Sequence, residues 1–69
     1  MTYWAIKYLF QTGGSHLDHI TISRQRKDAW AKFERDISCY PESTQKRFRR
    51  DRRAGMIRAV NVEIVEVEA

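Results

Sequence analysis

Tyr3 to Phe10 constrains the fold more than any other stretch. It reads Tyr-Trp-Ala-Ile-Lys-Tyr-Leu-Phe, a run of aromatic and β-favouring residues. Trp4, Ile6, Tyr8 and Phe10 share one face at period two, and Tyr3, Ala5, Lys7 and Leu9 share the other. Both faces are partly apolar, which suits a central strand, β1. Thr12-Gly13-Gly14-Ser15 follows as a turn, because glycine takes the positive φ of a tight hairpin without steric cost. His16 to Ile22 then reads as an antiparallel partner, β2, with Ile20 and Ile22 facing inward.

From Arg24 to about Ser38 the large apolar residues are Trp30, Phe33 and Ile37, with Ala29 beside them. That spacing predicts an amphipathic helix, α1, capped by Ser23 and docked on the sheet. Cys39-Tyr40-Pro41 ends it, since proline disfavours helical geometry in the residue before it. Ser43 is placed to cap a second helix, α2, from Thr44 to Ala54, and Gly55 supplies its stop. Ile57 to Val67 completes the chain as β3. Val60, Val62 and Ile64 alternate along one face, and Val65 and Val67 fall on the other.

The order β-β-α-α-β predicts an α+β, two-layer domain over residues 1–69: a three-stranded antiparallel sheet with both helices on one face and β1 in the middle. A chain this short buries only about 60% of its unfolded surface, so the core is thin. Cys39 is the only cysteine and cannot staple it. A lone thiol, no run of roughly 20 apolar residues and no signal-peptide pattern point to a cytoplasmic protein with no membrane partner.

The net charge of +4 is unevenly spread. Residues 1–22 sum to zero, residues 23–55 to +6 and residues 56–69 to −2. Within Lys46–Arg53, six of eight residues are cationic, interrupted by Phe48 and Asp51. Phe48 is the only large apolar residue of α2, so it must face the core. At about 100° per residue, Thr44 and Arg52 lie nearest it, while Lys46, Arg50 and Arg53 point to solvent. Arg47 and Arg49 flank them. Clustered guanidinium groups attract phosphate backbones through charge and counterion release, and each chelates phosphate with two N–H groups. Arg24, Arg26 and Lys27 on α1, with Lys32, would extend the patch if the helices lie side by side. The plain alternative is a solvated helix face, partly neutralised by Glu42 with Lys46 and Arg47 with Asp51.

Other stretches say less. Trp4, Tyr8, Phe10, Trp30 and Phe33 sit at core spacing, which leaves Tyr3 and Tyr40 as the exposed aromatics and disfavours a base-stacking sheet. His16 and His19 are three apart on a strand and point to opposite faces, so they do not grip one metal ion without a turn. A metal-free ribonuclease would use them as acid and base, but nothing in the spacing pairs them. Cys39 has no implied base, and Gly13-Gly14 lacks the surroundings of a phosphate loop. No catalytic residue, metal or cofactor is expected. Tyr3, Ala5, Leu9, Val65 and Val67 define an apolar strip on the sheet face away from the helices, suited to a homodimer or another protein partner.

In size, compactness and make-up the whole chain resembles the short accessory proteins that phages and prophages encode, anti-CRISPR proteins among them. The resemblance implies a protein that binds and blocks a host nucleoprotein complex. Many anti-CRISPR proteins are acidic mimics of DNA. This chain is basic, which implies a target with an acidic face or an exposed nucleic acid. The sequence thus supports a non-enzymatic module that contacts nucleic acid or a nucleoprotein complex through α2, with a phage-type inhibitor or adaptor of an acidic protein surface as the alternative.

Overall fold

A computed structural model describes residues 2–65. Its elements are β1 (Thr2–Leu9), β2 (Ser15–Ser23), α1 (Arg26–Ile37), α2 (Glu42–Arg53) and β3 (Ile57–Glu63). The sheet order is β2-β1-β3 with both pairings antiparallel, so the aromatic strand is central, as its two-sided apolarity requires. The hairpin closes through a Gly13 N–H bond to the Phe10 carbonyl (3.0 Å) and a Phe10 N–H bond to the Gly14 carbonyl (2.9 Å). Gly13 lies at φ +94°, the left-handed position that such a loop demands.

Both helices cover the Ile6 face. Ile6, Ala29, Phe33, Ile37 and Ile57 form the core, with Trp4, Tyr8, Trp30, Phe48 and Ala59 packed around it. Phe33 is fully buried and is the centre of the ring cluster. Its centroid lies 5.4 Å from Trp30 and 6.3 Å from both Tyr8 and Phe48, edge-on to Trp30 and Phe48. Edge-to-face pairs of this kind add to the free energy of area burial.

Four local features differ from expectation. In β2, Thr21 is buried and Ile20 is exposed, while Ile22 is half-buried. The ladder pairs Ile6 with Asp18 and then Trp4 with Ser23, so residues 19–22 bulge opposite the single residue Ala5. Thr21 fills the gap. Its Oγ1 accepts the Ile6 N–H (2.8 Å) and donates to the Asp18 carbonyl (2.7 Å). Asp18 Oδ1 accepts the Ile20 N–H, and Ser23 Oγ donates to the Thr21 carbonyl. Ser23 is therefore the buried end of β2 rather than a helix cap, and α1 starts two residues later than its apolar spacing suggests, after Gln25.

The second helix starts earlier than expected. Pro41 is its N-cap, and its carbonyl accepts from Thr44 and Gln45, which places Ser43 inside the first turn. Gly55 is the stop. At φ +80° it donates to the Arg52 carbonyl while Met56 donates to that of Asp51, the two bonds of a Schellman motif. That turn sets the phase of β3. Met56 accepts the Leu9 N–H (2.7 Å), and Ile57 enters the core opposite Tyr8. Ala59 follows it inward, opposite Ile6, so Val60 and Val62 pair with Ala5 and Tyr3 on the uncovered face. The inward set is thus Ile57 and Ala59, not Val60, Val62 and Ile64. Ile64 and Val65 are exposed beyond the end of β3, and Val67 lies outside the described residues.

Candidate functional site

The two helices run antiparallel. Gln45 near the start of α2 reaches the carbonyls of Ser38 (3.4 Å) and Tyr40 (2.9 Å) at the end of α1. Arg52 near the end of α2 lies over the Trp30 ring, its guanidinium carbon 3.7 Å from the centroid. Phe48 supplies the inward contact between them, touching the rings of Tyr8, Phe33 and Tyr40. No residue of α2 is fully buried, so the helix rests on the domain by one aromatic ring and a polar seam.

Glu34 organises that seam. One carboxylate oxygen accepts from Arg49 at 3.0 Å, and the other lies 3.9 Å from Arg52. Arg49 also reaches Gln45 at 3.4 Å. The basic helix therefore divides into two sets. Arg49 and Arg52 hold α2 against α1. Lys46, Arg47, Arg50 and Arg53 remain on the outer side, and with Ser43 and the edge of Arg49 they line one open furrow. Lys46 is 3.7 Å from Glu42, a well-solvated pair that contributes little. Arg47 lies near the Phe48 ring at 5.9 Å. Among the described residues Arg50 and Arg53 have no carboxylate partner, and Arg47 forms no ion pair with Asp51.

The α1 cations do not form a continuation of this furrow. Arg26 lies over the Trp4 ring at 5.7 Å. Arg24, with Lys32 and Arg35, lines a separate depression beside Ser23 and Asp28, and Lys32 donates to the Ile22 carbonyl at 2.8 Å. Lys27 alone falls on the Glu34 side of α1, since seven residues make almost two turns.

The sheet face away from the helices carries Tyr3, Leu9, Val60 and Val62, all half-buried, around a fully buried Ala5, with Lys7 and Arg58 opposite each other across the ladder. It is apolar as expected from Tyr3 and Leu9, but the valines that complete it are Val60 and Val62. Of the other candidates, His19 is exposed in the bulge and His16 stacks near Tyr8 at 6.3 Å. The exposed Cys39 directs its thiol to the Asp36 carbonyl. Among the described residues no three His, Cys, Asp or Glu side chains converge as a metal site, and no helix is long and apolar enough to cross a membrane.

A second concavity was not legible in the sequence. Tyr8, Phe10, His16, Asp18, Ile20, Asp36, Tyr40 and Phe48 line a cleft between the hairpin and the α1–α2 corner. Phe10 belongs to this cleft rather than to the core, because β1 ends at Leu9 and Phe10 opens the turn. Burial, reinforced by the charges of Asp18 and Asp36 and by Tyr40, pushes the Tyr8 phenol up to about 12. Compared with known proteins, the chain matches no family model, no curated sequence and no solved structure.

Proposed function

We propose that this protein is a non-enzymatic binding module whose outer α2 face, Lys46, Arg47, Arg50 and Arg53, contacts the phosphate backbone of a nucleic acid, alone or within a nucleoprotein complex. One observation carries the reading: Arg50 and Arg53 stand on the solvent side of a helix with no carboxylate partner among the described residues. A helix kept soluble by charge alone does not need its cations unmatched on one side, whereas a phosphate row does. Phosphate contacts hold no sequence information, so binding is weakly sequence-specific. Four engaged cations give a log–log salt slope of about −3 to −4.

The test is titration into labelled duplex DNA, single-stranded DNA and RNA across a salt series, with the Arg50→Glu/Arg53→Glu protein alongside. The expected result is salt-dependent binding that the double variant loses. A flat salt response, no binding at low salt, or unchanged binding by the double variant overturns the reading. A second reading, an inhibitor or adaptor that meets an acidic protein surface, is supported by the apolar open face around Tyr3, Val60 and Val62, which would add a buried anchor. It is favoured if polyglutamate, and not nucleic acid, binds the furrow.

A further inference from the structure

The cleft between the hairpin and the α1–α2 corner differs chemically from the rest of this basic molecule. Its floor is Tyr8, which lies within 6.3 Å, centroid to centroid, of both His16 and Phe48. Tyr40 continues the ring lining 5.8 Å from Phe48. Three rim side chains are largely solvent-exposed: Phe10 at 51%, Ile20 at 72% and Tyr40 at 49%. An exposed isoleucine flanked by two exposed rings costs free energy in the unbound molecule.

Two acidic residues line the same cleft, Asp18 from β2 and Asp36 from the end of α1. The chain holds thirteen Lys and Arg residues against nine acids, yet neither carboxylate has an ion-pair partner among the described residues. Asp18 uses one oxygen to hold the Ile20 N–H, and the remaining acceptors are open. Ring faces attract cations through their quadrupoles, and carboxylates supply directed acceptors. The charge complement of this lining is positive, and its shape complement is flat and apolar.

From this we infer that the cleft is a second binding site, distinct from the α2 furrow, for an arginine side chain presented by a partner protein. Arginine fits better than lysine. Its guanidinium is planar, stacks on rings, sheds water more readily and donates to two carboxylates in a fixed fork. Stacking against Tyr40 and Phe10 with N–H bonds to Asp36 and Asp18 uses two exposed rings and both carboxylates of the cleft.

The test uses the intact protein and a matched pair of peptides, acetyl-Gly-Arg-Gly-amide and its citrulline counterpart, which keeps the shape and removes the charge. Ring resonances of Tyr40 and His16 report occupancy. The arginine peptide shifts them saturably and the citrulline peptide does not. Asp18→Asn with Asp36→Asn loses about tenfold or more in affinity, the scale of a charge-assisted hydrogen bond, while the carboxamide oxygen at position 18 still holds the bulge. Tyr40→Ala weakens binding with the amide spectrum otherwise intact, and Arg50→Glu/Arg53→Glu leaves it unchanged. Equal shifts from both peptides, or unchanged affinity in the carboxamide variant, overturn the proposal. So does a shift of the same rings on simple dilution that Arg50→Glu/Arg53→Glu abolishes, because the occupant is then α2 of a second copy.

Discussion

Thr21→Val is the most discriminating single change in the framework. Valine keeps the volume of the buried side chain and removes only its hydroxyl. That hydroxyl accepts the Ile6 N–H at 2.8 Å and donates to the Asp18 carbonyl at 2.7 Å, replacing the ladder bonds that the bulge interrupts. The variant leaves the Ile6 N–H without a partner beside a fully buried side chain. An orphaned buried donor costs about 1–3 kcal/mol, and the deprived carbonyl adds a smaller amount. Together they destabilise the fold by about 2–4 kcal/mol. A core of this size rarely provides more than about 3–5 kcal/mol of net stability, so the variant is close to unfolded at room temperature. Thr21→Ser is the control. It keeps both bonds and loses one methyl, which costs about 1 kcal/mol. Urea unfolding of the three proteins, followed by circular dichroism with a shared m value, gives the comparison. The result that refutes the reasoning is a valine variant as stable as the serine variant, for then the hydroxyl does not hold the bulge.

Three further outcomes follow. Glu34→Gln changes stability by no more than about 1 kcal/mol, because its pairs are well exposed. It frees Arg49 and Arg52, so polyanion affinity rises and the salt slope steepens by about 1 for each cation recruited; a salt titration of both proteins checks this. The folded chain holds the Tyr8 proton more tightly than the unfolded chain, with a pKa of about 12 against 10.0. Its contribution to stability is therefore complete below pH 10 and is lost as pH rises towards 12, a decline that unfolding measurements detect and that is smaller in Tyr8→Phe. Gly55→Ala meets no steric obstacle closer than Arg58 at 3.7 Å, but alanine at φ +80° costs roughly 1–2 kcal/mol, measured as a lower urea midpoint.

The features legible in the sequence were those set by local chemistry. β1 declares itself central through two apolar faces, Phe48 declares the inward side of α2, and Gly55 declares its end. What was not legible depends on parity and distant partners. Ile20-Thr21-Ile22 alternates whichever residue turns inward, and only the bulge opposite Ala5 decides for threonine. Likewise Val60 and Val62 look like core until the Gly55 turn fixes Ile57 beneath α2. Glu34 is one of three acids on α1, so its claim on Arg49 and Arg52 needed the antiparallel placement of the helices. The cleft around Tyr8 joins residues from β1, β2 and both helices, and no sequence window contains it.

The absence of any fully buried residue in α2 bears on how the molecule breathes. Elements with few buried contacts open at a free energy well below that of global unfolding, and their amides exchange with solvent accordingly. The helix proposed to bind is thus built to open without global unfolding. Its opening would uncover Phe33 and Ile57 while the β1–β3 ladder persists. A polyanion lying along Lys46, Arg50 and Arg53 stabilises only the closed form, so its grip would register as slowed amide exchange throughout Glu42–Arg53. Binding strength and the local folding of α2 are then one equilibrium, and substitutions at Phe48 would tune affinity without touching phosphate.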